Sequence, residues 1–334
     1  MRRGKQTLVF RQKPYIIDTA SVVGKKESEG PLGMYFDKVD VTNLFDKKTW
    51  EEAEAEMQRQ ACVLTLEKAG VNKEQVHHLF GGDLLRQGIA TTMGIAELEI
   101  PLMGLFGACS TSGEALALGA MSVAAGYGDY VLAVTSSHFA TAEKEFRFPL
   151  GYANQRAKAS SWTVTGSAAF LVGKQQTHVR INGTTIGKIV DYGMTDSQNM
   201  GACMAPAACD TIFQHLTDVQ NSPAAYDKIV TGDLGHIGSE ILIDLLKEKG
   251  IDISKQHMDC GVEIFDQATQ NTNAGGSGCG CAATTLSAYI LPQIANGTWK
   301  KVLFVPTGAL MSTVSYNEGM TVPGIAHGVV LEHC

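Results

Sequence analysis

Apolar residues between positions 48 and 70 recur at roughly helical spacing: Trp50, Ala53, Met57, Ala61, Leu64 and Leu66. That pattern predicts an amphipathic helix. His78-Leu79-Phe80 reads as a short strand, Gly81-Gly82-Asp83 as a turn, and the following stretch as a helix reaching about Glu97. A second helix is expected over Thr111–Ala125, and short buried strands at Val131–Val134 and Ala168–Val172. Residues 1–45 show no sustained period and read as an irregular arm with turns around Glu29–Gly33.

The same order returns in the second half. Lys228–Leu234 echoes His78–Leu84, Val302–Val305 echoes Val131–Val134, and His327–Leu331 echoes Ala168–Val172. The offset between partners grows along the chain, which places an insertion around 255–275. Alternating strands and helices, duplicated, predict an α/β protein with mostly parallel sheets. The halves are expected at 1–185 and 186–334.

One point gathers the chemistry. Leu105-Phe106-Gly107-Ala108-Cys109-Ser110-Thr111-Ser112-Gly113-Glu114 runs from an apolar stretch through a small-residue turn into a helix. A thiol at a helix start sits at the positive end of the dipole, which favours the thiolate. Thr111 and Glu114 have capping-box spacing. Gly276-Ser277-Gly278-Cys279-Gly280-Cys281-Ala282 stands at the matching place in the second half, without the same chemistry. Two such helix starts would bring both glycine turns to one crevice.

Composition narrows the possibilities. The chain has 334 residues, 44% apolar and 18% charged, with 36 glycines and a net charge of −7. No long basic run is present, so nucleic acid is a poor partner. The eight cysteines are irregularly spaced, as in a reduced intracellular chain. The N-terminus lacks a secretory pattern, and no apolar run approaches the roughly 18 residues of a membrane span. His257, Asp259 and Cys260 with Cys279 and Cys281 do not match usual zinc spacing, and a structural role is favoured. Gly278-x-Gly280-x-x-Ala283 lacks the strand and acidic partner of a dinucleotide turn. No calcium loop is present, and no cofactor is expected.

The duplicated plan with Cys109 at the first central helix resembles the thiolase and ketoacyl synthase superfamily. Met200-Gly201-Ala202-Cys203-Met204-Ala205-Pro206-Ala207 is similar to the segment opening the second half of thiolases. Further stretches extend the likeness from about residue 5 to the C-terminus: Gly81–Leu85, Leu105–Ser112, Thr135–His138, Thr165–Ser167, Thr195–Gln198, Met204–Ala208, Ala274–Cys279 and Ile325–Val330. With these, the chain resembles a stage V sporulation family of spore-forming bacteria. The resemblance implies a thiolase-like fold, with central mixed sheets sandwiching buried helices. It also implies binding of dipicolinic acid (pyridine-2,6-dicarboxylate), free or as its calcium chelate, during uptake into the developing spore. Expected partners are membrane proteins of the same sporulation transport complex and a second copy in a homodimer. Expected location is the cytoplasm or the surface of the spore inner membrane.

Against the thiolase pattern, Ser277 stands at the catalytic histidine, Gly324 at the second cysteine, and Gly232-Asp233 at the asparagine–glutamate pair. Turnover needs a proton acceptor and oxyanion donors beside the thiol, so Cys109 reads as a vestigial nucleophile in a binding pocket. The alternative is a working acyltransferase or condensing enzyme acylated at Cys109. Candidate ligand contacts are Cys109, Ser110, His138, Arg147, His236, Ser277 and His327. Residues 139–163, which the resemblance implies form a loop covering the pocket mouth, interleave bases and aromatics: Lys144, Phe146, Arg147, Phe148, Tyr152, Arg156, Lys158 and Trp162. Arg147, between two phenylalanines, is the preferred carboxylate clamp.

Overall fold

Thr49 and Glu52 close a capping box: the Thr49 hydroxyl accepts the Glu52 N–H at 3.2 Å and the Glu52 carboxylate accepts the Thr49 N–H at 3.1 Å. Helix α1 (Trp50–Ala69) begins there and stops at Gly70, whose φ of 64° is left-handed. This matches the helix expected over 48–70. The computed structural model describes residues 1–146 and 156–334.

The first half builds its sheet from β1 (Tyr15–Gly24), β2 (His78–Gly82), β3 (Leu102–Gly104), β4 (Tyr130–Ser137) and β5 (Gly166–Gly173). The second half uses β6 (Val179–Thr185), β7 (Lys228–Thr231), β8 (His257–Asp259), β9 (Lys301–Val305) and β10 (Gly328–His333). The strand order is β8-β7-β9-β10-β6-β1-β5-β4-β2-β3, so the two halves mirror one another around the β6–β1 contact. That contact is a single antiparallel pair, Arg180 with Tyr15. Within each half, three strands run parallel and the two nearest the junction are antiparallel. β6 pairs with β10 from Val179 to Thr185, so the second-half sheet begins at Val179.

The N-terminal segment corrects the expectation of an irregular arm. Tyr15–Gly24 is a ten-residue strand beside β5 at the centre of the sheet. Asp18, Thr19 and Ser21 break its apolar run, and a register shift falls between Ile16 and Asp18. Polar residues at a bulge hid the period-two pattern.

Two helices lie at the centre: α3 (Thr111–Ala125) and α7 (Cys279–Thr285), which continues through a π-turn at Leu286–Ile290. Ala115, Leu116 and Ala120 of α3 share one core with Ala282, Ala283 and Leu286, and with Phe170 and Phe304 from the sheet. Small side chains let helix, helix and sheet approach closely. Extra residues expected near 255–275 form two short helical turns, Cys260–Glu263 and Gln267–Gln270, between β8 and α7. The outer helices α2 (Ile89–Ala96), α4 (Phe139–Phe146), α5 (Met200–Val219), α6 (Gly235–Glu248) and α8 (Thr313–Asn317) complete the parts used below.

All eight cysteines are free, and seven are buried. Among the described residues, no helix is long and apolar enough to cross a membrane.

Candidate functional site

Ala108 sets the cysteine turn. Its φ of 50° is left-handed, a conformation that costs a residue with a Cβ about 1–3 kcal/mol and persists only when its surroundings hold it. Here the Ser110 N–H and hydroxyl both donate to the Gly107 carbonyl, at 3.1 and 2.7 Å. The Thr111 hydroxyl donates to the Ala108 carbonyl at 2.6 Å and accepts the Gly107 N–H at 2.9 Å. This corrects the capping box expected from Thr111 and Glu114: the N-cap is Ser110, with no side-chain cap. The second half closes over the same turn. A Cβ on Gly308 would lie 2.3 Å from the Gly107 carbonyl oxygen, so that backbone can approach only as glycine.

The two glycine turns do meet. The Sγ of Cys109 is 3.9 Å from the Oγ of Ser277, which is fully buried. Ser277 donates to Oδ2 of Asp233 at 2.9 Å, the Gly278 N–H donates to the same oxygen at 2.9 Å, and the Thr307 hydroxyl donates to Oδ1 at 2.8 Å. Burial pushes the Asp233 carboxyl up, and hydrogen bonds from Gly278, Cys109, Thr307 and Ser277 pull against it. Behind it, Asp259 is pushed up to about 7, chiefly by burial and further by the Asp233 charge. The thiol therefore faces a hydroxyl and a buried carboxyl. A general base that takes the thiol's proton and becomes a cation, as imidazole does, is a different arrangement.

Cys109 lines a cavity of about 570 Å³ between the halves. The first half contributes Gly82, Leu84 and Phe106, and the second contributes Met200, Ala309 and Met311. Its wall is predominantly apolar, as ligand pockets usually are.

Of the described candidate contacts, Cys109 is the one that lines this cavity. Ser277 stands behind it in the Asp233 network. Ser110 is fully buried and spends its hydroxyl on the turn. His138 belongs elsewhere: Nε2 is 2.8 Å from the Asn43 carbonyl and Nδ1 accepts the Ala140 N–H at 3.1 Å, so it fixes the start of α4. His327 accepts the Gly187 N–H on Nδ1 at 3.2 Å, and burial lowers it to about 4. His236 is half-buried in the first turn of α6, its N–H on the Ala274 carbonyl at 2.9 Å. Arg147, Phe148 and Tyr152 lie outside the described residues.

Among the described interleaved residues, Arg156 and Trp162 join an internal stack. The rings of Phe139 and Trp162 stack 4.1 Å apart. The Arg156 guanidinium lies 4.8 Å from the Trp162 ring centre and is ion-paired with Glu143 at 2.7 Å, while Lys26 lies 4.4 Å over the same ring. At the place of the second thiolase cysteine, a Cβ on Gly324 would sit 2.7 Å from the Cys203 carbonyl oxygen. Close packing against α5 accounts for that glycine.

Sequence reasoning missed a second acidic cluster under the cavity floor. Asp83 accepts the Leu85 N–H at 2.8 Å, the Thr91 N–H at 2.8 Å and the Thr91 hydroxyl at 2.6 Å. Glu54 is pushed up to about 8 by burial and by the Asp83 charge. The Thr141 hydroxyl is 2.6 Å from Glu54 and 2.9 Å from the His138 carbonyl. With one proton on that hydroxyl, both contacts are satisfied when Glu54 carries a proton of its own and donates it. The echo of Gly82-Asp83 in Gly232-Asp233 was the available signal: both aspartates sit at strand ends and anchor turns at the site.

The model of the family described as stage V sporulation protein AD matches residues 4–332. Stage V sporulation protein AD of Bacillus subtilis (strain 168) is 41% identical over 329 residues, covering 98% of this chain and 97% of the relative. Among solved structures, 3-oxoacyl-[acyl-carrier-protein] synthase III from Aquifex aeolicus VF5 is similar at a TM-score of 0.58 and 14% identity, covering 96% of this chain and all of the other. A variant of OleA from Xanthomonas campestris is similar at a TM-score of 0.63 and 14% identity, covering 97% and 99%. These two likenesses establish the thiolase-like fold.

Proposed function

The chain belongs to the family of stage V sporulation protein AD, and on that premise we propose that it is a non-catalytic binding protein for dipicolinic acid, free or as its calcium chelate. It holds the ligand in the cavity beside Cys109 and supports its uptake into the developing spore. A second copy and membrane proteins of the transport complex are its proposed partners. It works in the cytoplasm or at the surface of the spore inner membrane.

The observation that carries this reading is the company of the thiol. The cavity persists between the halves, while the groups at the sulfur are the Ser277 hydroxyl and the Asp233 carboxyl. A pocket kept open without an imidazole base at its thiol suits binding better than turnover. Equilibrium titration with dipicolinate, benzoate and other aromatic acids tests it. Preference for dipicolinate is expected; equal affinity for all of them overturns the reading.

A second reading keeps the chemistry. The left-handed Ala108 and the helix start at Thr111 present Cys109 to the cavity as a nucleophile turn would. An acyl transferase would then form a thioester on Cys109 from coenzyme A or carrier-protein thioesters. Intact mass after incubation with such thioesters decides: an adduct absent from Cys109→Ala favours the enzyme, and no adduct with any of them favours the binding protein.

A further inference from the structure

Charge is scarce around the cavity. Among its described lining residues, Arg86 and Glu145 are the two that carry any, and they form an ion pair. Arg86 Nε lies 2.6 Å from Glu145 Oε1, with the arginine side chain 65% exposed and the glutamate 27%. One Nη of Arg86 also donates to the Thr313 hydroxyl of α8 at 3.3 Å, so the guanidinium reaches across the mouth from the first half to the second.

The position is built rather than incidental. Arg86 opens a turn in which Gln87 and Gly88 are both left-handed, with φ of 56° and 63°. The buried Asp83 carboxylate ties down both ends of that turn, taking the Leu85 N–H on one oxygen and both the Thr91 N–H and hydroxyl on the other. A loop held this way fixes where its arginine stem leaves the backbone. Asp83 thus acts as a positioning residue for Arg86.

We propose that Arg86 is the carboxylate-binding side chain of this cavity, and that Glu145 occupies it until the carboxylate of an aromatic or apolar acid takes its place. The inference rests on the binding function proposed above and names the residue that recognises the ligand. A guanidinium offers a planar fork that matches a carboxylate with two parallel hydrogen bonds. The arginine end of the resident pair is open to water, and an incoming carboxylate restores the charge-assisted contact that it displaces, so exchanging one carboxylate for another costs little. The apolar wall, including Phe106 and Leu84, receives the rest of the molecule. Glu145 also repels any carboxylate that does not displace it, which favours acids able to make both fork bonds.

Calorimetric titration of the full chain with pyridine-2,6-dicarboxylate and with its neutral diamide tests the assignment. Arg86→Gln should weaken the dicarboxylate about tenfold or more, the size expected for losing a charge-assisted bidentate contact, and leave the diamide unchanged. Glu145→Gln removes the competitor and should tighten the dicarboxylate about threefold to tenfold. Unfolding midpoints matching the wild type confirm that both variants fold. If the wild type binds the dicarboxylate and both variants bind it as well as the wild type, the Arg86 assignment is overturned and the binding function stands. If the wild type binds neither compound, the binding function falls and takes this assignment with it.

Discussion

The Oγ of Ser277 stands 3.9 Å from the Sγ of Cys109, and the two residues hold equivalent places in the duplicated halves. Each precedes the first residue of its central helix by two positions, Thr111 in one case and Cys279 in the other. The duplication therefore juxtaposes two helix starts, and the residue pair at their meeting point decides the chemistry. Ser277 already donates its proton to Asp233. What it offers Cys109 is an acceptor lone pair, a partner for a thiol that keeps its proton.

If Cys109 is wall and not nucleophile, removing its sulfur should matter little to a non-covalent ligand. Cys109→Ala loses weak thiol contacts to Ser277 and Asp233 and a small apolar contact with Leu84 and Cys279, so dipicolinate affinity should change by no more than about threefold, or roughly 0.6 kcal/mol. Calorimetric titration measures it. Complete loss of binding in a folded variant would make the sulfur essential and revive a covalent role.

Asp233 is the structural centre of the same network, because Ser277, Gly278, Thr307 and Cys109 all converge on it. Asp233→Ala strands the Gly278 N–H, two hydroxyls and the Cys109 thiol, at about 1–3 kcal/mol for each buried N–H or hydroxyl left unsatisfied. Asp233→Asn can keep its oxygen toward Ser277 and Gly278 and turn its amide to Thr307, whose hydroxyl can accept. Urea unfolding should therefore show a loss of several kcal/mol for the alanine variant and about 1 kcal/mol for the asparagine variant. Equal losses in the two would mean that volume, and not hydrogen bonding, sets the cost.

Much of this was legible before any coordinates. The helix over 48–70, the helix at Thr111–Ala125 and the paired strands 131–134 and 302–305 carry strong local periods, and all form. The meeting of Cys109 and Ser277 followed from the repeat. Side-chain partners were not legible in the same way. A histidine such as His138 beside a strand end can face a cavity or a backbone carbonyl, and only the three-dimensional path of Asn43 decides between them. Arg86 and Glu145 are 59 positions apart in sequence and look like ordinary surface charges. Their pairing depends on how the turn at Gln87 and Gly88 is bent. Glu54 lies within α1, where a glutamate ordinarily faces water, and its burial comes from packing against α4 and β4.

Those buried acids fix the sign of the pH dependence. Glu54 titrates at about 8, and Glu27 and Asp259 at about 7, each raised mainly by burial. A raised carboxyl holds a proton in the folded state that the unfolded chain releases, so its stabilisation is full below about pH 4 and is lost as pH rises through 7 and 8. His215, His257 and His327 are lowered to about 4 by burial. Their contribution is full above the unfolded value near 6.5 and is lost as pH falls toward 4. The two sets oppose between about pH 4.5 and 6.5, and only the acids act above that range. The melting temperature should thus fall from pH 6.5 to 8, with a shallower fall in Glu54→Gln. A melting temperature that rises across pH 6.5 to 8 would contradict the buried, protonated state of Glu54.

The free edge of the sheet bears on the proposed homodimer. β3 ends the strand order beyond β2, and Leu102 and Met103 on it are 39% and 55% exposed, with Phe106 just past it at 56%. A short edge strand carrying apolar side chains and no charge lacks the devices that keep sheet edges apart. Pairing β3 with its counterpart in a second copy would satisfy its outer backbone groups and cover those side chains. A lysine at an edge is the substitution that natural sheets use against such pairing. Met103→Lys should therefore shift the chain from dimer to monomer in sedimentation equilibrium, and its unfolding midpoint should lose only the concentration-dependent part that dimerisation adds. A dimer equally stable in Met103→Lys would place the interface on another face, and a monomeric wild type would remove the homodimer altogether.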